Sequence, residues 1–187
     1  MQRLVVLVVL AVAMPAFAAP QRSVHIMCDP VGCPEEPSLE PQLQADVGLS
    51  VIQAAYEHPF GRRVSASVSA GIFGSYFFPW FDLGDDVVGL GGGFRVTWFA
   101  RDSGRGLYIA PYVRVHRVSG DRGDLHGTGL GVSAGAFAGW AFGLTDRLDL
   151  RLGFGAQYIR HSIDTDAGRL TSSAPFVAID ILVGYRL

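Results

Sequence analysis

The stretch 176–187 alternates with a period of two. Val177, Ile179, Ile181, Val183, Tyr185 and Leu187 fall on one face; Phe176, Ala178, Asp180, Leu182, Gly184 and Arg186 fall on the other. A period of two is the signature of a β-strand. An unbroken apolar face set against charges and glycine predicts lipid on one side and a crowded polar lumen on the other. The same pattern recurs from about residue 46 onward, broken by turns rich in Gly, Asp, Pro and Ser.

The first 18 residues read as a signal peptide rather than as part of the fold. Arg3 is the charged start, Leu4 to Ala13 is the apolar run, and Ala16-Phe17-Ala18 is an A-x-A cleavage site. The run is shorter than the ~20 residues of a membrane-spanning helix. Cleavage is expected before Ala19, leaving 19–187 as one barrel domain. No other segment is long and apolar enough to span as a helix, so a membrane form of this chain has to be a closed barrel.

Charge is sparse at 17%, and all 15 basic residues are Arg. A GC-rich genome is the simple account of the missing Lys; bidentate binding of lipid phosphates is the functional one. The net charge of −2, without a basic patch interleaved with aromatics, argues against a nucleic-acid partner. Cys28 and Cys33 enclose Asp29-Pro30-Val31-Gly32. In an exported chain they are expected to form a disulfide. With His25 they would offer three metal ligands at no standard spacing, so no metal or other cofactor is expected.

Seven strands read directly, at 46–56, 63–75, 87–100, 107–118, 128–142, 147–160 and 174–187. Short connections at 57–62, 101–106 and 143–146 alternate with longer ones at 76–86, 119–127 and 161–173. Outer-membrane barrels have short periplasmic turns, longer external loops and an even strand number. An eighth strand is therefore expected before residue 46, and 19–27, with Val24 and Ile26 alternating with Ser23 and His25, is the candidate. Residues 28–41 would then be the first external loop. Trp80, Phe81, Trp98, Phe99, Trp140 and Phe142 suit interfacial aromatic girdles.

The fold class is thus an all-β, antiparallel up-and-down transmembrane barrel, with eight strands expected. Alternation assigns Gly89, Gly91, Gly93, Arg95 and Thr97 to the lumen, then Tyr108, Ala110, Tyr112, Arg114 and His116, then Asp149, Arg151, Gly153, Gly155 and Gln157. Asp46, Ser50, Ser65, Ser67, Ser69, Asp180 and Arg186 join them. Eight strands enclose room for side chains and no wide channel. Arg95, Arg114, Arg151 and Arg186 would face Asp46, Asp149 and Asp180, and charges so confined have to be paired. The inward glycines make room for Tyr108, Tyr112 and Phe137. A plugged, salt-bridged lumen is predicted.

The hairpin Gly93-Phe94-Arg95-Val96-Thr97-Trp98-Phe99, turn, Gly106-Leu107-Tyr108-Ile109-Ala110-Pro111-Tyr112-Val113 carries a family resemblance, with Gly153-Phe154-Gly155 and Val183-Gly184-Tyr185-Arg186-Leu187 in agreement. The chain resembles small outer-membrane barrels of the OmpA/OmpX-like type, closest to short single-domain barrels of unknown function. The resemblance implies a monomer in the bacterial outer membrane, in contact with its lipid and lipopolysaccharide and inserted by the barrel-assembly machinery. Such barrels usually end in Phe, which that machinery reads, whereas this chain has Leu187. Pro111 inside a strand predicts a local bulge.

No catalytic constellation emerges. Lipid A-modifying enzymes also use eight-stranded barrels, and His161-Ser162, with Asp164 and Asp166 nearby, is the pair to weigh. Adjacent strand residues point to opposite faces, so the two cannot simply share a site. A structural or surface-interaction role is expected, with a lipid A hydrolase or small-ligand-binding barrel as the alternative.

Overall fold

The computed structural model describes residues 39–74, 86–122, 125–165 and 168–187. Eight strands form one closed barrel: β1 (Gln42–Gly48), β2 (Val51–Pro59), β3 (Val64–Gly74), β4 (Asp86–Phe99), β5 (Gly106–Arg122), β6 (Leu125–Gly143), β7 (Leu148–Thr165) and β8 (Gly168–Arg186). Each pairs antiparallel with its sequence neighbour, and β1 closes the barrel against β8. The segments 1–18 and 19–27 lie outside the described residues, as do Cys28 and Cys33 with the disulfide expected between them, and Trp80, Phe81 and Asp166.

The eight strands are complete from Gln42 to Arg186 because 46–56 is not one strand. The chain reverses at Leu49-Ser50, and Val47 and Ile52 face each other across the hairpin. The two-residue reversal shifts the alternation by one. Gln42, Gln44 and Asp46 point inward on β1, and Val51, Gln53, Ala55 and Glu57 point inward on β2. A period of two that changes phase within a few residues looks, in sequence, like one imperfect strand.

Two stretches read as long loops are paired backbone instead. β5 and β6 pair as far as Arg122 opposite Leu125, and β7 and β8 as far as Thr165 opposite Gly168. Hydrophobic alternation fades there because the outward residues become polar, but the hydrogen-bonded ladder does not depend on them. The wall is therefore uneven. β1 pairs with β8 only up to Gly48 opposite Asp180, and β8 continues to Gly168.

Pro111 produces no bulge. The β4–β5 ladder omits the pairs Val96–Pro111 and Thr97–Ala110 and then resumes in the same register, Arg95 opposite Tyr112 and Trp98 opposite Ile109. The missing proline N–H opens a local gap in the ladder and adds no residue to either strand. The start of β1 and the end of β8 meet at the rim of the turns 60–63, 100–105 and 144–147, where the Leu187 N–H donates to the Pro41 carbonyl at 3.0 Å.

The surface is apolar and the interior polar. Leu90, Val113, Leu152, Phe154, Val177 and Ile181 are among the large side chains exposed on the outer wall. Trp98, Trp140 and Phe142 also face outward near the short turns. Phe99 does not: it is fully buried in the lumen, because a neighbour of an outward Trp98 has to point inward.

Candidate functional site

The distinctive chemistry lies inside the barrel. Arg95, Arg114, Arg151 and Arg186 are all buried, and so are Asp46, Glu57, Asp149 and Asp180. Four cations meet four carboxylates in an interior with almost no access to water. Isolated charges could not survive there, whereas paired and fully hydrogen-bonded ones can.

Nearest the start of β1 and the end of β8, β2 supplies Glu57 and β7 supplies Arg151. Two guanidinium N–H groups donate to the two carboxylate oxygens, both at 2.7 Å. Gln42 and Gln44 on β1 donate to the same carboxylate at 2.7 and 2.8 Å. The guanidinium carbon stands 4.9 Å from the centre of the Phe99 ring, which covers its face. Beside this group Arg186 donates to both oxygens of Asp149, at 2.8 and 2.9 Å.

The middle layer joins five strands. Arg95 on β4 donates to Asp180 on β8 at 2.9 Å and to Asp46 on β1 at 2.7 Å. Arg114 on β5 donates to Asp46 at 3.1 Å. The Tyr108 hydroxyl donates to Asp180 at 2.8 Å, and Gln53 donates to Asp46 at 2.6 Å. Aromatic faces carry the cations: Arg114 lies 4.2 Å over Tyr112 and Arg95 lies 5.2 Å from Phe137. Tyr112 and Phe137 stack on each other at 4.7 Å. The gap left beside Asp46, Arg95 and Arg114 is a cavity of about 10 Å³, room for roughly one water.

The inward glycines make this packing fit. A Cβ on Gly153 would stand 2.4 Å from the Tyr108 hydroxyl, and one on Gly139 would stand 2.7 Å from it. Toward the longer hairpins Phe73 stacks on His116 at 4.6 Å and meets the His161 ring edge-on at 5.3 Å.

The structure brings every lumen charge named from sequence into an ion pair, and adds Glu57. Glu57 belongs to β2, not to a turn, and it provides the partner that Arg151 lacks in the sequence reading. The signal was present: four inward Arg against three inward Asp leave one cation uncompensated. Gln42, Gln44 and Gln53 are no more legible than Glu57, because the phase of the alternation changes at the hairpin between them.

His161 and Ser162 occupy opposite faces of β7. His161 contacts Phe73 on the inside, while Ser162 stands opposite Leu130 and Thr171 on the outside. Asp164 is exposed and accepts from Arg169 at 2.7 Å, a hydrogen bond that holds its carboxyl below the ordinary range. Among the described residues no group of three or more His, Cys, Asp or Glu is arranged to hold a metal ion.

No protein-family model matches the chain, and neither does any curated protein or solved structure.

Proposed function

We propose that this protein is an outer-membrane β-barrel with a plugged lumen, serving the envelope as a structural or surface-interacting element. The observation that carries the reading is the inversion of polarity. Eight charged side chains are sealed inside, while aliphatic and aromatic side chains cover the outer wall. Water would penalise that outer surface and a bilayer would not. The turns Phe60–Arg63, Ala100–Arg105 and Leu144–Arg147 share one rim with the start of β1 and the end of β8, whereas β5 to β8 project past the apolar belt at the other; in such barrels the longer projections are external, and the first rim is then periplasmic. A lumen closed by layered ion pairs does not serve as an open pore. The chain's similarity to OmpA/OmpX-like barrels in its β4–β5 hairpin agrees with this reading.

Purified outer membranes, run on a gel boiled and unboiled, test it. The expected outcome is a faster unboiled band in the outer-membrane fraction. A soluble periplasmic protein with no mobility shift would overturn it.

A further inference from the structure

Charges on the outer wall of the strands are few and gathered at one end. Arg117 on β5, Arg160 and Asp164 on β7 and Arg169 on β8 are all exposed on the outward face. Among the described residues, the outward faces of the strands carry no other Asp, Glu or Arg between these positions and the short-turn rim. Arg169 is committed to Asp164. Arg117 and Arg160 have no hydrogen-bond or ion-pair partner among the described residues. Two guanidinium groups without a partner among the described residues therefore stand at the upper border of the apolar wall, directly after Val115 and Tyr158 in their outward series.

The register sets them on either side of one strand. Arg117 is opposite Leu130, and Arg160 is opposite Val132, two residues away on β6. Adjacent strands are about 4.8 Å apart, so β5 and β7 are separated by roughly 10 Å. Two long side chains can lean over the aliphatic surface of β6 and converge. Hydroxyl donors border them: Ser162 lies opposite Leu130, and Ser173 opposite Arg160.

We propose that Arg117 and Arg160 clamp a phosphate of lipopolysaccharide, on the phosphorylated sugar headgroup of the outer leaflet. The inference rests on the outer-membrane reading and names a lipid partner for one face of the wall. The apolar stems of the arginines rest on the belt while their heads reach the headgroup layer. A planar guanidinium binds two phosphate oxygens at once, and the serine hydroxyls satisfy others.

The test uses the full chain refolded into phosphatidylcholine vesicles with and without lipid A. Bound lipid is counted by native mass spectrometry after transfer to detergent. The Arg117→Gln/Arg160→Gln variant is compared with wild type and with Arg62→Gln/Arg101→Gln, which removes two charges from turns at the opposite rim. Wild type and the turn variant are expected to retain lipid A and to release its dephosphorylated form. The wall variant is expected to lose about tenfold or more in retention. Equal retention by the wall variant, or equal retention of dephosphorylated lipid, overturns the clamp while leaving the barrel reading intact. Failure of wild type to give a heat-modifiable band in phosphatidylcholine alone overturns both.

Discussion

Glu57 and Arg151, 94 residues apart in the chain, meet in the lumen through two parallel hydrogen bonds of 2.7 Å. Both are almost completely buried, so the pair is shielded from the screening that weakens surface ion pairs. Its removal from one side only is therefore the costly operation. Glu57→Gln leaves the Arg151 charge buried without a counter-ion and is expected to destabilise the barrel by about 3–5 kcal/mol. Adding Arg151→Met should recover much of that loss, because the pair replaced by neutral groups carries no orphaned charge. Urea titration of the heat-modifiable band in vesicles measures both. A Glu57→Gln variant as stable as wild type would mean that the pair carries no such weight.

The same logic separates lumen pairs from rim pairs. Arg63 and Asp102 also bond, but their side chains are 53% and 37% exposed. Asp102→Asn is expected to cost less than about 1 kcal/mol. Asp149→Asn, which strips the carboxylate from the bidentate contact with buried Arg186, is expected to cost several times as much. The ratio of the two losses, read from the same denaturation assay, is the check.

The barrel and most of its interior are legible in the sequence because both follow from one alternation. Arg95, Arg114, Arg151 and Asp180 sit on long strands whose phase never shifts, and their inward direction reads off directly. The first hairpin is not legible, because Gly48-Leu49-Ser50 reverses the chain between two strands of only 7 and 9 residues. The phase changes there before either strand has declared its own. Glu57 therefore reads as part of a turn and 46–56 as a single strand, which leaves the alternation one strand short of an even number. The upper parts of β7 and β8 were hidden differently. Ser162, Asp164, Thr171 and Ser173 are polar outward residues beyond the apolar belt, so backbone pairing persists where the hydrophobic signal has ended.

Gly153 and Tyr108 form a matched pair of another kind. A Cβ at Gly153 would lie 2.4 Å from the Tyr108 hydroxyl, with no other atom nearer than 3.2 Å. Gly153→Ala is expected to destabilise by about 1–3 kcal/mol through overpacking. Tyr108→Phe removes the obstructing oxygen, together with its 2.8 Å hydrogen bond to Asp180. The double variant should therefore be more stable than the sum of the single losses, by an interaction of at least ~0.5 kcal/mol. Additivity in a double-mutant cycle would show that the glycine is not there to house the hydroxyl.

Phe154 gives the sharpest test of what surrounds the wall. It is 56% exposed at the middle of the outward series of β7, opposite Ala138 and Ile179. In a bilayer, Phe154→Arg places a cation near the midplane and is expected to cost about 2–4 kcal/mol. Around a water-soluble barrel, an exposed substitution of this type stays within about 0.5 kcal/mol. Leu144, equally exposed but in the short turn after β6, is the internal reference. Leu144→Arg should lie at the interface and cost no more than about 1 kcal/mol. Unfolding free energies of the two variants in the same vesicles decide the matter. A large loss at Phe154 with little at Leu144 is the depth profile of a membrane wall, and equal small losses would remove the bilayer from the account of this protein.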